Sequence, residues 1–157
     1  MQQTAPMRDG ELPLDPDVGP ADEPHPRSLT RLVAIGLGGG AGAFARHELE
    51  LAFPAGDGAF PWTTFLIDVS GAFALAVLVV FVVDRWSPME HVQPFACVGF
   101  CGGFTTFSTF MMETVLLTRD GHPQVGALYV GVTLVAGVTA ILVGIRIAHA
   151  LDRRLLT

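Results

Sequence analysis

From about Arg31 onward, long apolar stretches alternate with short polar or proline-bearing breaks. A helix needs about 20 mostly apolar residues to cross the hydrocarbon core of a bilayer. Four stretches meet that length: Arg31 to Phe53, Thr63 to Val83, Val92 to Leu117 and Val125 to Leu151. Pro54, Pro61, Pro88 and Pro123 stand at or near their ends, where a missing N–H does least harm. The expected fold class is an all-α membrane protein of four transmembrane helices, with connections short enough for a compact antiparallel bundle.

The third stretch departs from this regularity. Its centre reads Gly99-Phe100-Cys101-Gly102-Gly103-Phe104-Thr105-Thr106-Phe107-Ser108-Thr109-Phe110. Adjacent glycines followed by four hydroxyl residues weaken an unbroken lipid-facing helix. Unpaired backbone groups at membrane depth survive only inside protein or along an aqueous path. The pattern predicts a third helix broken near its centre, between about Gly102 and Thr106. Such a break offers carbonyls to a cation and N–H groups to an anion. Phe107 and Phe110, interleaved with hydroxyls, add ring edges of positive potential that can face a small anion, although such stripes also serve as core packing.

Small residues recur four apart, at Gly36 and Gly40, Gly38 and Gly42, and Gly99 and Gly103. In lipid such pairs let helix backbones approach closely. The run Gly36-Leu37-Gly38-Gly39-Gly40-Ala41 mimics a dinucleotide-binding fingerprint, but that motif follows a strand in a βαβ unit. Here it lies inside a membrane-length apolar stretch.

Composition sharpens the membrane reading. Half of the 157 residues are hydrophobic and 15% are charged, against about a quarter charged in soluble domains; mean hydropathy is +0.49. Most of the net charge of −6 comes from the first residues, where Asp9, Glu11, Asp15, Asp17, Asp22 and Glu23 cluster among prolines against Arg8 and Arg27. Residues 1–28 therefore read as a disordered acidic tail, without the basic start and apolar core of a signal peptide before Leu32. Residues 29–157 form the membrane-embedded unit. It carries no basic patch for nucleic acid.

Cys97 and Cys101, four apart, read as small packing residues, since no neighbouring His or Cys completes a metal site. Ionisable groups inside a span are costly and mark function; the candidates here are Arg46, Asp68 and Glu113. Arg46 can also snorkel to the headgroups, and Asp68, about five residues into its span, can also be interfacial. Glu113 shares a helical face with Thr106 and Phe110. No G-x-S-x-G elbow or H-E-x-x-H pair accompanies the histidines. The chain has no visible catalytic machinery and is expected not to be an enzyme.

Gly102-Gly103-Phe104-Thr105-Thr106-Phe107-Ser108-Thr109-Phe110, followed by Glu113, resembles the signature of the Fluc/CrcB family of fluoride channels. Gly39-Gly40-Ala41-Gly42-Ala43-Phe44-Ala45-Arg46 resembles that family's first-span motif, and Thr64-Phe65-Leu66-Ile67-Asp68-Val69-Ser70-Gly71-Ala72-Phe73 its second. Tyr129 suits the tyrosine near the start of the fourth span.

The resemblance implies a fluoride-specific channel subunit in the cell membrane, exporting fluoride as a dual-pore antiparallel dimer. It implies a structural Na+ at the dimer centre, held by backbone carbonyls of Gly102 and Thr105. Phe107 and Phe110 match the pore phenylalanines, with Ser108, Thr109, Asp68, Tyr129 and Thr139 as further fluoride-path candidates and Thr133 as a looser match. Arg46 and Glu113 are structural or gating candidates. Asp68 stands where the family usually has a pore-facing asparagine, and His47 where it often has tyrosine. An amide can donate to fluoride; an ionised carboxylate only accepts.

Arginine placement bears on the partner, because the bias over short flanks sets orientation. Arg27, Arg31, Arg85, Arg146, Arg153 and Arg154 fall on the side of the termini, against Arg46 and Arg119 opposite. Six against two favours cytoplasmic termini and a heterodimer with a homologous subunit in the opposite orientation over a homodimer. Two alternatives stand beside this reading. One is a proton- or cation-coupled transporter of the small multidrug type using Asp68; the other is a non-conducting assembly subunit.

Overall fold

The computed structural model describes residues 26–85 and 92–155. Most of the expected tail lies outside the described residues, as does Pro88; the helix that follows the tail starts at Pro26. All regular elements among the described residues are helical: α1 (Pro26–Ala52), α2 (Trp62–Arg85), a π-helical segment (Gln93–Phe100), α3 (Cys101–Phe104), α4 (Phe107–Arg119) and α5 (Pro123–Leu155). The π-helical segment, α3 and α4 together form the third span, broken at Thr105 and Thr106. The all-α class and the break near the centre of the third helix are both borne out.

Among the described residues, three helical stretches are long and apolar enough to cross a membrane: Trp62–Val82, Gln93–Arg119 and Pro123–Asp152. At 27 residues α1 has the length, but five glycines and the charged residues toward its two ends dilute its apolar character. Gly38 and Gly42 act in packing instead. A Cβ on Gly38 would overlap the Phe95 carbonyl, and one on Gly42 the Phe100 carbonyl. From the other side, a Cβ on Gly99 would meet the Ile35 carbonyl and one on Gly103 the Gly39 carbonyl. Two of the glycine pairs read from the sequence thus form one backbone-to-backbone seam between α1 and the first half of the third span. Gly36 and Gly40 face open space.

The π-helical segment, with Pro94 in its first turn, was not anticipated from the sequence. Wider i→i+5 turns are rare and concentrate near functional sites. Cys97 and Cys101, at its middle and just past its end, are buried free thiols, as their packing role requires.

On the opposite side, α2 packs along α5. Gly144 lies close to the Phe73 carbonyl and Ala76. A core of Phe110, Leu117 and Tyr129, flanked by Phe60, Phe65, Val125 and Val130, joins α2, α4 and α5. The Tyr129 ring meets Phe110 at 4.9 Å and Phe60 edge-on at 5.2 Å. The α1–α2 loop and the α4–α5 turn share one end of the bundle, where Gly58, at φ 66°, lies under the His122 ring. Much of the remaining surface is exposed Leu, Val, Ile and Phe. That surface requires lipid or a partner against it.

Candidate functional site

The site is built around the break. Thr105 (φ −78°, ψ 155°) and Thr106 (φ −148°, ψ 106°) are both extended. Thr106 caps the N-terminus of α4 with its side chain: Oγ1 accepts from the Thr109 N–H at 3.2 Å, satisfying a donor that has no helical partner. Its hydroxyl also meets Thr109 Oγ1 at 3.1 Å and Ser108 Oγ at 3.2 Å. The Thr106 backbone N–H donates to Asp68 Oδ1 at 2.8 Å, bridging α2 to the break.

These bonds divert the donors that an unbroken helix would supply to two carbonyls. The carbonyl of Gly102 would accept from Thr106 N–H, and that of Thr105 from Thr109 N–H. Both N–H groups are committed to side-chain oxygens instead. The intervening Gly103 carbonyl accepts from Arg46 Nε at 3.4 Å, while Arg46 Nη1 pairs with Glu50 at 3.2 Å. Gly102 is exposed, and a Cβ there would meet nothing within 4 Å. Unwound carbonyls of this kind suit an alkali cation. The residues expected to hold Na+ fit that group.

A groove of about 750 Å³ runs beside the break, its lining including Asp68, Gly102, Thr105, Thr106, Phe107 and His149. Phe107 is 76% exposed, whereas Phe110, its ring 6.1 Å away, is 6% exposed and belongs to the core. Ser108 is exposed and Thr109 half-buried.

Glu113 and Tyr129 form a second cluster, reached through Phe110. Tyr129, with no exposed surface, donates to Glu113 Oε2 at 2.8 Å, and buried Thr64 donates to Oε1 at 2.8 Å. Thr139 sits apart on the exposed side of α5, its hydroxyl returned to the Val135 carbonyl at 2.7 Å. Thr133 Oγ1 is buried without a hydrogen-bond partner among the described residues.

The structure therefore brings Asp68, Gly102, Thr105, Phe107, Ser108 and Thr109 together, places Arg46 behind the break, and sets Glu113 and Tyr129 one helical turn beyond. Sequence reasoning missed Thr64 and Glu50. The signal for Thr64 was its spacing: four residues before Asp68, it shares that residue's face of α2.

Long apolar helices, one of them broken to expose backbone groups beside an open groove, define an integral membrane protein of the channel or transporter class. A family profile described as CrcB-like protein, Camphor Resistance (CrcB), matches residues 33–145, and the chain belongs to that family. The chain is 50% identical over 124 residues to fluoride-specific ion channel FluC 3 of Streptomyces avermitilis, covering 78% of this chain and 61% of that protein. It is 40% identical over 113 residues to FluC 2 of Nocardia farcinica, covering 72% and 81%. To FluC of Chlorobium luteolum it is 36% identical over 121 residues, covering 77% and 92%. The chain thus spans less than two thirds of the first of these relatives and most of the other two. The resemblance carried by the third-span motif is borne out.

Proposed function

We propose that this chain is a subunit of a fluoride-specific channel in the cell membrane, working as a dual-pore antiparallel dimer. The observation that carries the reading is the break at Thr105 and Thr106, with Phe107 exposed beside it, in a chain whose relatives are named fluoride-specific ion channels. An exposed phenyl edge with hydroxyls next to it offers a small anion positive potential in place of water. Phe107, Ser108 and Thr109 form this part of the path in our reading. Asp68, Phe110, Tyr129 and Thr139 are assigned to its walls, and Arg46 and Glu113 hold the surrounding helices.

A sodium ion at the dimer centre would take the Gly102 and Thr105 carbonyls of each subunit. A cation there would offset the oxygen-lined end of α3. The function is transport down a gradient rather than catalysis.

The partner is a homologous subunit inserted the other way up, with the termini of this chain cytoplasmic. The support is the arginine asymmetry and the meeting of the α1–α2 loop with the α4–α5 turn at one end, which puts Arg119 opposite the start of α1 and the end of α5. Fluoride efflux from liposomes tests the whole reading. The purified chain is reconstituted alone and with a homologue of opposite arginine bias, in fluoride and chloride. Fluoride-selective efflux in either arm supports a channel subunit. No fluoride efflux in both arms, or proton flux driven by an organic cation, would overturn it.

A further inference from the structure

We infer that Asp68 is the positioning residue that builds the cation site at the break: by accepting the Thr106 N–H, it exposes the Gly102 carbonyl and aims the Thr105 carbonyl. This rests on the reading of those two carbonyls as cation ligands.

The argument starts from one hydrogen bond. In a continuous helix the Thr106 N–H would donate to the Gly102 carbonyl, four residues back. Here it donates to Asp68 Oδ1 at 2.8 Å, so the Gly102 carbonyl loses its helical donor. The same N–H belongs to the peptide joining Thr105 to Thr106. No peptide bond is cis among the described residues, and in a trans peptide the C=O and N–H point in opposite directions. With the N–H held toward α2, the Thr105 carbonyl is turned away from α2. One side-chain acceptor therefore frees the Gly102 carbonyl and orients that of Thr105, whose own helical donor goes to Thr106 Oγ1.

The surroundings are shaped for this bond. Gly71, one turn along α2 from Asp68, lies against the Thr105 methyl group, and a Cβ there would overlap it. Glycine thus lets α2 come close enough for the Asp68 side chain to reach the break. The side chain of Thr105 is tied to the Cys101 carbonyl at 3.0 Å, which anchors the residue on the α3 side. The peptide between these two anchors has little freedom to turn over. An amide oxygen at position 68 would accept the same N–H and aim the same carbonyl.

The test is the sodium dependence of thermal stability of the full-length chain, purified in detergent micelles as the complex with a homologue of opposite arginine bias. NaCl replaces N-methyl-D-glucamine chloride at constant ionic strength, and flux is not needed. Wild-type protein should gain stability with sodium. Asp68→Asn, which keeps the acceptor, should retain the response. Asp68→Leu should abolish the response, because the Thr106 N–H can return to the Gly102 carbonyl. A wild-type sodium response that Asp68→Leu retains would overturn the inference while leaving the cation site standing. Should Asp68→Leu fail to fold, Asp68→Ala removes the acceptor with less bulk, and a sodium response retained there overturns the inference equally. A wild type indifferent to sodium overturns the cation reading itself, and this inference with it.

Discussion

Tyr129 donates its hydroxyl to Glu113 Oε2 at 2.8 Å, and Thr64 occupies the other carboxylate oxygen at the same distance. Three helices, α2, α4 and α5, meet on that one side chain. Both donors are buried, so neither has water to turn to when its partner is lost.

Removing either donor should therefore destabilise the subunit. Tyr129→Phe and Thr64→Val are each expected to cost about 1–3 kcal/mol, the penalty of a buried oxygen left short of a donor. The double variant should cost less than the sum, because both act on one carboxylate. Denaturant titration in micelles measures all three, and strict additivity would count against a shared network.

The glycines of the first and third spans divide into two groups. Gly99→Ala and Gly103→Ala push a methyl into the backbone of α1 and should cost about 1–3 kcal/mol each by overpacking. Gly36→Ala and Gly40→Ala enter open space on the subunit and should leave its stability within about 0.5 kcal/mol. Equal losses at all four positions would mean that Gly36 and Gly40 face a partner.

The two phenylalanines should separate by readout. Phe107→Ile alters an exposed ring and is expected to lower fluoride efflux with subunit stability unchanged. Phe110→Ile loses contact with Tyr129 and should lower stability by about 1–2 kcal/mol as well. Unchanged efflux in Phe107→Ile, measured in liposomes, would take Phe107 out of the path.

Thr106→Ala removes the cap of α4 and should destabilise by about 0.5–2 kcal/mol, with Thr106→Ser restoring most of it. The break itself should persist, since Asp68 holds the backbone N–H of that residue and not its side chain. A structure of Thr106→Ala with a continuous third helix would refute this separation.

Topology tagging addresses the partner. Reporters fused to the chain are expected to place the termini almost wholly in the cytoplasm. Substituting Arg153 and Arg154 with asparagine, and adding two arginines beside Arg119, should produce a mixed population. A mixed population in the unaltered chain would instead fit a homodimer.

Apolar run length, with proline at the ends, determined where the long helices lie, because both are local properties that the 1.5 Å helical rise converts directly into a span. The run Gly102-Gly103-Phe104-Thr105-Thr106 likewise determined that the third helix would break, since small and hydroxyl-bearing residues weaken the helix wherever it packs. The π-helical turns over Gln93–Phe100 left no comparable mark. Only the tertiary structure decided that Gly38 and Gly42, rather than Gly36 and Gly40, meet the third span, that Phe107 faces out while Phe110 faces in, and that Asp68 takes the Thr106 N–H from 38 positions away. Spacing says which residues share a face of one helix. Which face meets which neighbour depends on the rotation and closeness of whole helices, and those are set by all their contacts at once.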